Sequence, residues 1–376
     1  MKEPPFCPRL TCKLHKKEPE TTTWYYKAGH YHTKAFSRVQ RYRCKICGKY
    51  FSAQTFSLDY YAKKVVDYRE LLKRLVSTSG TRDMARDFDI STGTVQNKLF
   101  RLSHQAMAVH EDLKAALKRP DDMVADGFES YSVSQYFPNN IHLLALRESQ
   151  YVYFSNYVTI RRKGRMTRAQ KARRKALEKR FWPAYKGIEF SFNDVLDEVA
   201  RFKQNCGPAS FKFITDEKKD YHRAMQEHKM MKRFLKNKQI EHITVNSRKP
   251  RTARNPLFAV NYLDRQFRKD LSNHVRETVC FARNVNNCME RQMIYLMYHN
   301  YLKQFRENQR YQNRITHAEM AGIEKRLIQT TVSRAFTVRR FLSLANINGF
   351  VRRLWKRTLF TPLKQVVEFI PKYTLS

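Results

Sequence analysis

Two cysteine pairs near the start of the chain constrain its fold more than any other feature. Cys7 and Cys12 stand in C-x4-C spacing, and Cys44 and Cys47 in C-x2-C spacing inside RYRCKICGKYF. Each short turn aims two sulfurs at one point, and four thiolates in two such pairs suit tetrahedral Zn(II) at about 2.3 Å. Gly48 follows the second pair where a knuckle turn needs a small residue, and Tyr50 and Phe51 are positioned to cover the centre. A closed four-ligand site leaves no position for substrate, so the pattern predicts a structural zinc in a zinc ribbon over residues 1–60. Two unrelated pairs of buried thiols are the bland alternative, and His15, His30 and His32 are substitute ligands if Cys12 is not one. Cys206, Cys280 and Cys288 lack such spacing and read as free thiols.

Charge narrows the partner. Lys and Arg number 73 against 34 Asp and Glu, a formal net charge of +39 over 376 residues with an isoelectric point near 10.1. That excess exceeds what solubility needs and points to a polyanion, by default nucleic acid. Hydrophobic residues at 42%, with 25 Phe and 21 Tyr, suffice for packed cores and exclude a disordered basic tail. The length fits two to three domains of roughly 100–200 residues each. Apolar runs are too short and too broken by charge to span a bilayer, and MKEPPFCPRLTCK lacks the apolar core of a signal peptide. The expectation is a cytoplasmic, nucleoid-associated protein, whose reducing compartment favours metal-bound cysteines over disulfides.

A helical stretch at 62–76 precedes GTRDMARDFDISTGTVQNKLFRLSHQA, residues 80–106. Met84, Ala85 and Phe88 form one helical stripe, Ile90 falls in a turn, and Val95, Leu99 and Leu102 form a second stripe, with Ser91 or Thr92 as the cap. Two amphipathic helices around a tight turn match a helix-turn-helix over 61–118, which would expose Thr94, Gln96, Asn97, Lys98 and Arg101 to bases or phosphates. An ordinary helical hairpin gives the same pattern.

From residue 121 the pattern turns to strands: MVADGF, IHLLALRES and YVYFSNYVT, then the helix SFNDVLDEVARFKQN with Ser191 and Asp194 in capping spacing. FKFITD and KQIEHITV are further strands, and NYLDRQFRKDLSNHV predicts a helix over 261–275. Asp126 closes the first strand, Asp216 closes the fourth, and Asp264 lies in the early turns of the helix after the fifth. Taken singly, Asp126 reads equally well as a turn residue and Asp216 as a helix cap. Jointly, three carboxylates at strand ends suit two Mg(II) or Mn(II) ions, hard cations that take oxygen ligands and act on phosphodiesters.

VADGFES, FITDEKKDY, NYLDR and RETVCFARNVN resemble the blocks of a DDE transposase of the insertion-sequence-one kind, from about Cys7 to about Tyr301. The resemblance implies a multidomain α+β chain: zinc ribbon, helix-turn-helix, a ribonuclease H-like mixed-sheet catalytic core over 119–305, and a helical C-terminal region over 306–376. It also implies cutting and joining of double-stranded DNA at the ends of a mobile element, with Asp126 and Asp216 as the first two catalytic acids. The family usually carries Glu at the third position. Here NYLD offers Asp264, and Glu277 in HVRETVCF is the rival; a continuous helix would hold the two about 20 Å apart, so both cannot serve one site. Two element ends must be brought together, so a homodimer or larger assembly is expected.

Residues 161–182, RKGRMTRAQKARRKALEKRFW after Arg161, are almost wholly basic with Glu178 alone opposing, an imbalance that calls for an external polyanion. Arg161, Arg162, Lys163, Arg165 and Arg168 are the candidate DNA contacts of this insertion at about 160–186. Met293, Leu296 and Met297 read as core, with His299 and Asn300 packed beside them. A DNA-binding regulator with an inactive nuclease-like domain, or a nuclease that does not join strands, are the competing functions.

Overall fold

The computed structural model describes residues 3–16, 23–275, 277–306, 308, 314–347, 349–364 and 370–375; the rest of the cysteine module and of the basic C-terminal region lies outside these residues. The chain is a mixed α+β protein. It opens with three aromatic-rich strands, β1 (Tyr25–Tyr31), β2 (Val39–Cys44) and β3 (Tyr50–Ser52), paired antiparallel in sequence order. Trp24 and Tyr42 stack on Phe51, each at 5.6 Å between centroids, and form a small core with Cys7, Cys12 and Cys44. Of the two expected covering residues, Phe51 turns inward and Tyr50 outward, because neighbours on a strand face opposite sides.

Three helices follow: α1 (Tyr68–Leu75), α2 (Thr81–Asp87) and α3 (Thr92–Lys114). The first starts later than the sequence suggested, because the Asp67 carboxylate accepts from the amides of Arg69 and Glu70 and caps the helix there. The turn between α2 and α3 has Asp89 at φ +47°, and Ser91 Oγ accepts from the Thr94 amide at 3.1 Å. Met84, Val95, Leu99 and Leu102 are buried as their spacing predicted.

A second sheet holds β4 (Met123–Tyr131), β5 (Pro138–Leu146), β6 (Val152–Ser155) and the short β7 (Val158–Thr159). Then come α4 (Arg168–Glu178), α5 (Gly187–Asn205), β8 (Phe211–Asp216), α6 (Lys219–Glu227), α7 (Lys229–Lys236), β9 (Ile240–Val245) and α8 (Phe258–Asp270). The order is β6-β5-β4-β8-β9, with β7 beside β5; β4, β5 and β6 run antiparallel in succession, and β8 and β9 extend the sheet in parallel with β4. The parallel additions are possible because α5 and the α6–α7 pair supply the crossovers. The expected cap at Ser191 is not used. That residue lies inside α5, its hydroxyl donating to the Ile188 carbonyl, while Asp194 accepts from Asn156 and pairs with Arg353.

The chain ends in α9 (Val285–Tyr301), α10 (His317–Met320), α11 (Lys325–Ala335) and α12 (Gly349–Trp355). α3 packs along α9 and against α11 and α12, so one apolar core runs from Leu58 to Trp355 through the three helices, the second sheet and the C-terminal helices. Ion pairs bind α3 to α5 within it: Lys114 Nζ meets Glu111 at 2.6 Å and Glu198 at 3.0 Å, and Arg201 closes on both acids. Among the described residues no helix is long and apolar enough to cross a membrane.

Asn300 holds the edge strand. Its Oδ1 accepts from the Val152 amide and its Nδ2 donates to the Val152 carbonyl, both at 2.9 Å and both buried. Replacing it with Ala leaves two buried backbone groups unpaired, so Asn300→Ala is expected to lower stability by roughly 3 kcal/mol in urea unfolding.

Candidate functional site

The four cysteine sulfurs all lie within 4.8 Å of one another, and among the described residues they are the group of Cys, His, Asp or Glu side chains gathered in that way. Cys7 Sγ is 3.6 Å from Cys47 Sγ and Cys12 Sγ 3.9 Å from Cys44 Sγ. Four sulfurs each about 2.3 Å from one zinc stand about 3.8 Å apart, so the spacing matches a tetrahedral centre and is far beyond a disulfide. The cluster could therefore hold a structural Zn(II). Burial raises the Cys7 thiol above its ordinary value; burial acts in the same sense on Cys47, but the Lys49 amide and the neighbouring sulfurs outweigh it and lower that thiol to about 7. The substitute ligands are not needed. His15 is committed elsewhere, with Nδ1 2.8 Å from the Cys7 carbonyl and Nε2 2.7 Å from Ser343 Oγ, and His30 and His32 are exposed on the sheet side.

The three aspartates converge by a different route. Parallel pairing matches Met123 with Phe213, Val124 with Ile214 and Ala125 with Thr215, so the next step along each strand brings Asp126 beside Asp216. The alternation of side chains puts both on one face of the sheet. α8 lies against β4 on that face: Arg268 donates to the Glu129 carbonyl at 2.9 Å, and its guanidinium lies 4.7 Å from the Phe128 ring. Asp264 is one helical turn before Arg268, a rise of about 6 Å, and Asp126 is two strand residues before Phe128, about 6.6 Å. Helix and strand thus advance together and bring the third acid beside the first.

The electrostatics record that proximity. Burial and then the Asp216 charge push Asp126 up to about 6, and burial and then the Asp126 charge push Asp264 up to about 7. Asp216 is also raised, chiefly by burial. Each acid is half-buried, and among the described residues none of the three makes an ion pair. Asp126 and Asp216 each accept one backbone amide, from Gly127 at 2.7 Å and Lys218 at 3.2 Å. Lys218, Arg251 and Arg268 are the cations whose charge reaches the group. Hard oxygen donors that repel one another, and that no ion pair among the described residues neutralises, are a set that could take Mg(II) or Mn(II). The three do not close to the 4.8 Å that the cysteines reach.

Glu277 is elsewhere. The helix expected over 261–275 stops at Asp270, and Glu277 sits exposed in the following loop at φ +54°. The charge of Glu277 acts on Tyr131, at the end of β4, about 16 Å along the strand from Asp126. The rival acids are separated by the loop's path, and not by the continuous helix assumed from the sequence.

The expected contacts on α3 are corrected more sharply. Lys98 and Arg101 are buried, Lys98 paired with Asp59 and Arg101 donating to the Leu58 carbonyl, so they anchor the segment ahead of α1 and are not exposed to a ligand. Gln96 donates to Glu290 at 3.3 Å, Asn97 accepts from Arg101, and Thr94 meets Ser91 Oγ at the cap; all three are half-buried. In the basic insertion Arg161 pairs with Glu178 at 2.7 Å and lies over Trp182, and Arg162 lies over Tyr136. Lys163, Arg165 and Arg168 remain exposed. The sequence reading missed Lys218 and Arg251 beside the acids; the runs DEKK and RKPRTAR held the residues but no signal of where the loops lead. No family model matches the chain, and no curated protein matches its sequence.

Two outcomes are expected. Stripping the metal with a strong chelator melts the β1–β3 module and removes one zinc per chain, read by metal analysis and near-UV circular dichroism; a module indifferent to chelation contradicts the centre. Asp126 and Asp264 bind protons more tightly folded than unfolded, so without added Mg(II) their contribution to stability falls as pH rises from 3.8 through about 6 to 7. Asp264→Asn should then raise the unfolding free energy at pH near 7.5, by on the order of 1–2 kcal/mol after solvent screening, and leave it unchanged near pH 4, read by urea unfolding at the two pH values.

Proposed function

We propose that the chain is a DNA transposase that cleaves and joins strands at the ends of a mobile element through Asp126, Asp216 and Asp264. The observation that carries this reading is the set of three half-buried carboxylates, none in an ion pair among the described residues, on a chain of net charge +39. Such a group costs folding energy and is kept where cations must be held beside a polyanion. Three main antiparallel strands followed by two parallel strands that helices connect, and then by α8, support a ribonuclease H-like core. The cysteine cluster supports a zinc ribbon, and the capped turn between α2 and α3 supports a helix-turn-helix.

Asp126, Asp216 and Asp264 would hold Mg(II) or Mn(II), which when bound supply charge stabilisation at the phosphate and activation of the attacking oxygen. The amides of Gly127 and Lys218 fix one oxygen each of Asp126 and Asp216, so the carboxylates enter the reaction already oriented. Arg268 braces α8 on β4 and keeps Asp264 in register with Asp126. Arg251 and Lys218 offer positive charge at the rim for the scissile strand, and Lys163, Arg165 and Arg168 extend it for nonspecific phosphate contact. Water attack on the phosphorus breaks its bond to the 3′-oxygen, leaving a 3′-hydroxyl on one strand end and a 5′-phosphate on the other, and that hydroxyl then attacks a target phosphodiester and expels the target's own 3′-oxygen as a hydroxyl. Two protomers or more would hold paired ends.

On labelled element-end DNA with Mg(II), Asp216→Ala and Asp264→Ala should each lower cleavage about a thousandfold or more with DNA binding intact, and Glu277→Ala should cleave normally. Normal cleavage by Asp264→Ala would remove that residue from the site. Tight binding with no cleavage by the unaltered protein in Mg(II) or Mn(II) would make the chain a regulator, and cleavage without any joined product a nuclease.

A further inference from the structure

α3 offers a duplex no positive charge. Its Lys and Arg side chains are Lys98, Arg101 and Lys114, and all three are buried and bonded inside the protein. Phosphate contact supplies a large share of a protein's hold on DNA and needs exposed cations, of which this helix has none.

The cations that α3 lacks stand on the β1–β3 sheet. Residues 21–58 carry seven Lys and Arg and no Asp or Glu. Alternation along β2 turns Tyr42 and Cys44 inward to the small core of the cysteine module and leaves Arg41 and Arg43 exposed on the outer face. The register sets Arg43 directly between Tyr26 on β1 and Tyr50 on β3, so one row of that face runs Tyr-Arg-Tyr across the three strands. The guanidiniums of Arg41 and Arg43 lie 5.4 and 5.5 Å from the Tyr50 ring centroid, and the Lys45 ammonium lies 4.9 Å from that of Tyr26. Such contacts hold the cations over the sheet without neutralising them, and none of the three makes an ion pair among the described residues. A guanidinium fork already held in place loses less freedom when it pairs with a base edge.

Size agrees with charge. Three strands about 4.8 Å apart span about 10 Å, and the major groove of B-DNA is about 12 Å wide. We infer that the outer face of the β1–β3 sheet is the duplex-reading surface of this chain. Arg41 and Arg43, on the central strand, reach base edges in the major groove, and Lys45 faces the phosphates beside it; α2 and α3 serve as scaffold. A second copy presenting the same face would meet like charge, which excludes the face as its own partner. The inference rests on the DNA reading above but not on the carboxylates, so recognition and cleavage lie in different parts of the chain.

The test selects bound sequences from a pool of randomised duplexes with the full zinc-loaded chain, then compares the selected duplex with an unrelated one. Arg41→Lys with Arg43→Lys keeps the charge and removes the fork; it should bind the unrelated duplex normally and lose preference for the selected one by on the order of tenfold or more. Arg41→Ala with Arg43→Ala should also weaken binding to both duplexes, with the slope of log affinity against log salt shallower by about two. Both pairs should keep their zinc and their unfolding temperature, because the side chains are exposed. In the unaltered protein the selected duplex should shield Arg41 and Arg43 from phenylglyoxal, a readout that needs no variant. Thr92→Ala, in the exposed first turn of α3, should leave the preference unchanged. Full preference in the Lys pair, reactive arginines in the complex, no enriched sequence, or a preference lost with Thr92→Ala overturns the sheet as the reader and leaves the transposase reading to its own cleavage assay. Tighter binding of RNA or of a single strand than of duplex overturns the partner, and failure to bind any DNA overturns both readings.

Discussion

The parallel ladder between β4 and β8 is the constraint on which the rest of the candidate site depends. Its register brings Asp126 and Asp216 to neighbouring positions, and a slip of one residue would turn one of them to the opposite face. The register is protected by burial: Met123, Val124, Ala125, Phe213, Ile214 and Thr215 are all sealed from solvent. A misregistered pair would have to expose some of these and bury an unpaired acid instead. The apolar strands thus stabilise the placement of two carboxylates that, by themselves, oppose it.

The same economy governs α8 and α3. α8 is fixed by Leu263 and Phe267 on its buried side and by Arg268 on β4, and Asp264 inherits its position from them. α3 is fixed along its length by α9 and by the C-terminal helices, so polar residues that would be exposed on an isolated helical hairpin are enclosed and must find partners. Lys98 with Asp59 and Lys114 with Glu111 and Glu198 are the result. Pairs of this kind are expensive to break once buried, and here they tie α3 to the segment ahead of α1 and to α5.

Much of the architecture was legible because it is local. Strand and helix patterns around 123–128, 211–216 and 240–245 have short apolar periods that a reader can follow, and the cysteine spacing carries its own geometry. Boundaries were less legible where a side chain decided them: Asp67 delays α1, and the break at Asp270 ends α8 although Leu271 continues the apolar stripe. Lys98 and Arg101 were misread for another reason. On a single amphipathic helix a Lys beside the apolar stripe, as Lys98 is, or an Arg farther round it, as Arg101 is, faces solvent, and only the chain folding back through Leu58 and Asp59 covers them.

The sequence by itself determined the four-sulfur centre, the strongly basic composition and the placing of Asp216 at a strand end, because spacing within a turn and alternation along a strand are properties of neighbouring residues; Asp126 does not close its strand as expected but lies inside β4, which pairing with β5 carries on to Tyr131. Tertiary structure alone decided which acids meet, which cations are spent inside the protein, and that the helical and sheet regions share one core. Those outcomes turn on sheet register, on the path of the loop after α8 and on the packing of α3 against α9, interactions between segments far apart in the chain whose energies no local pattern contains.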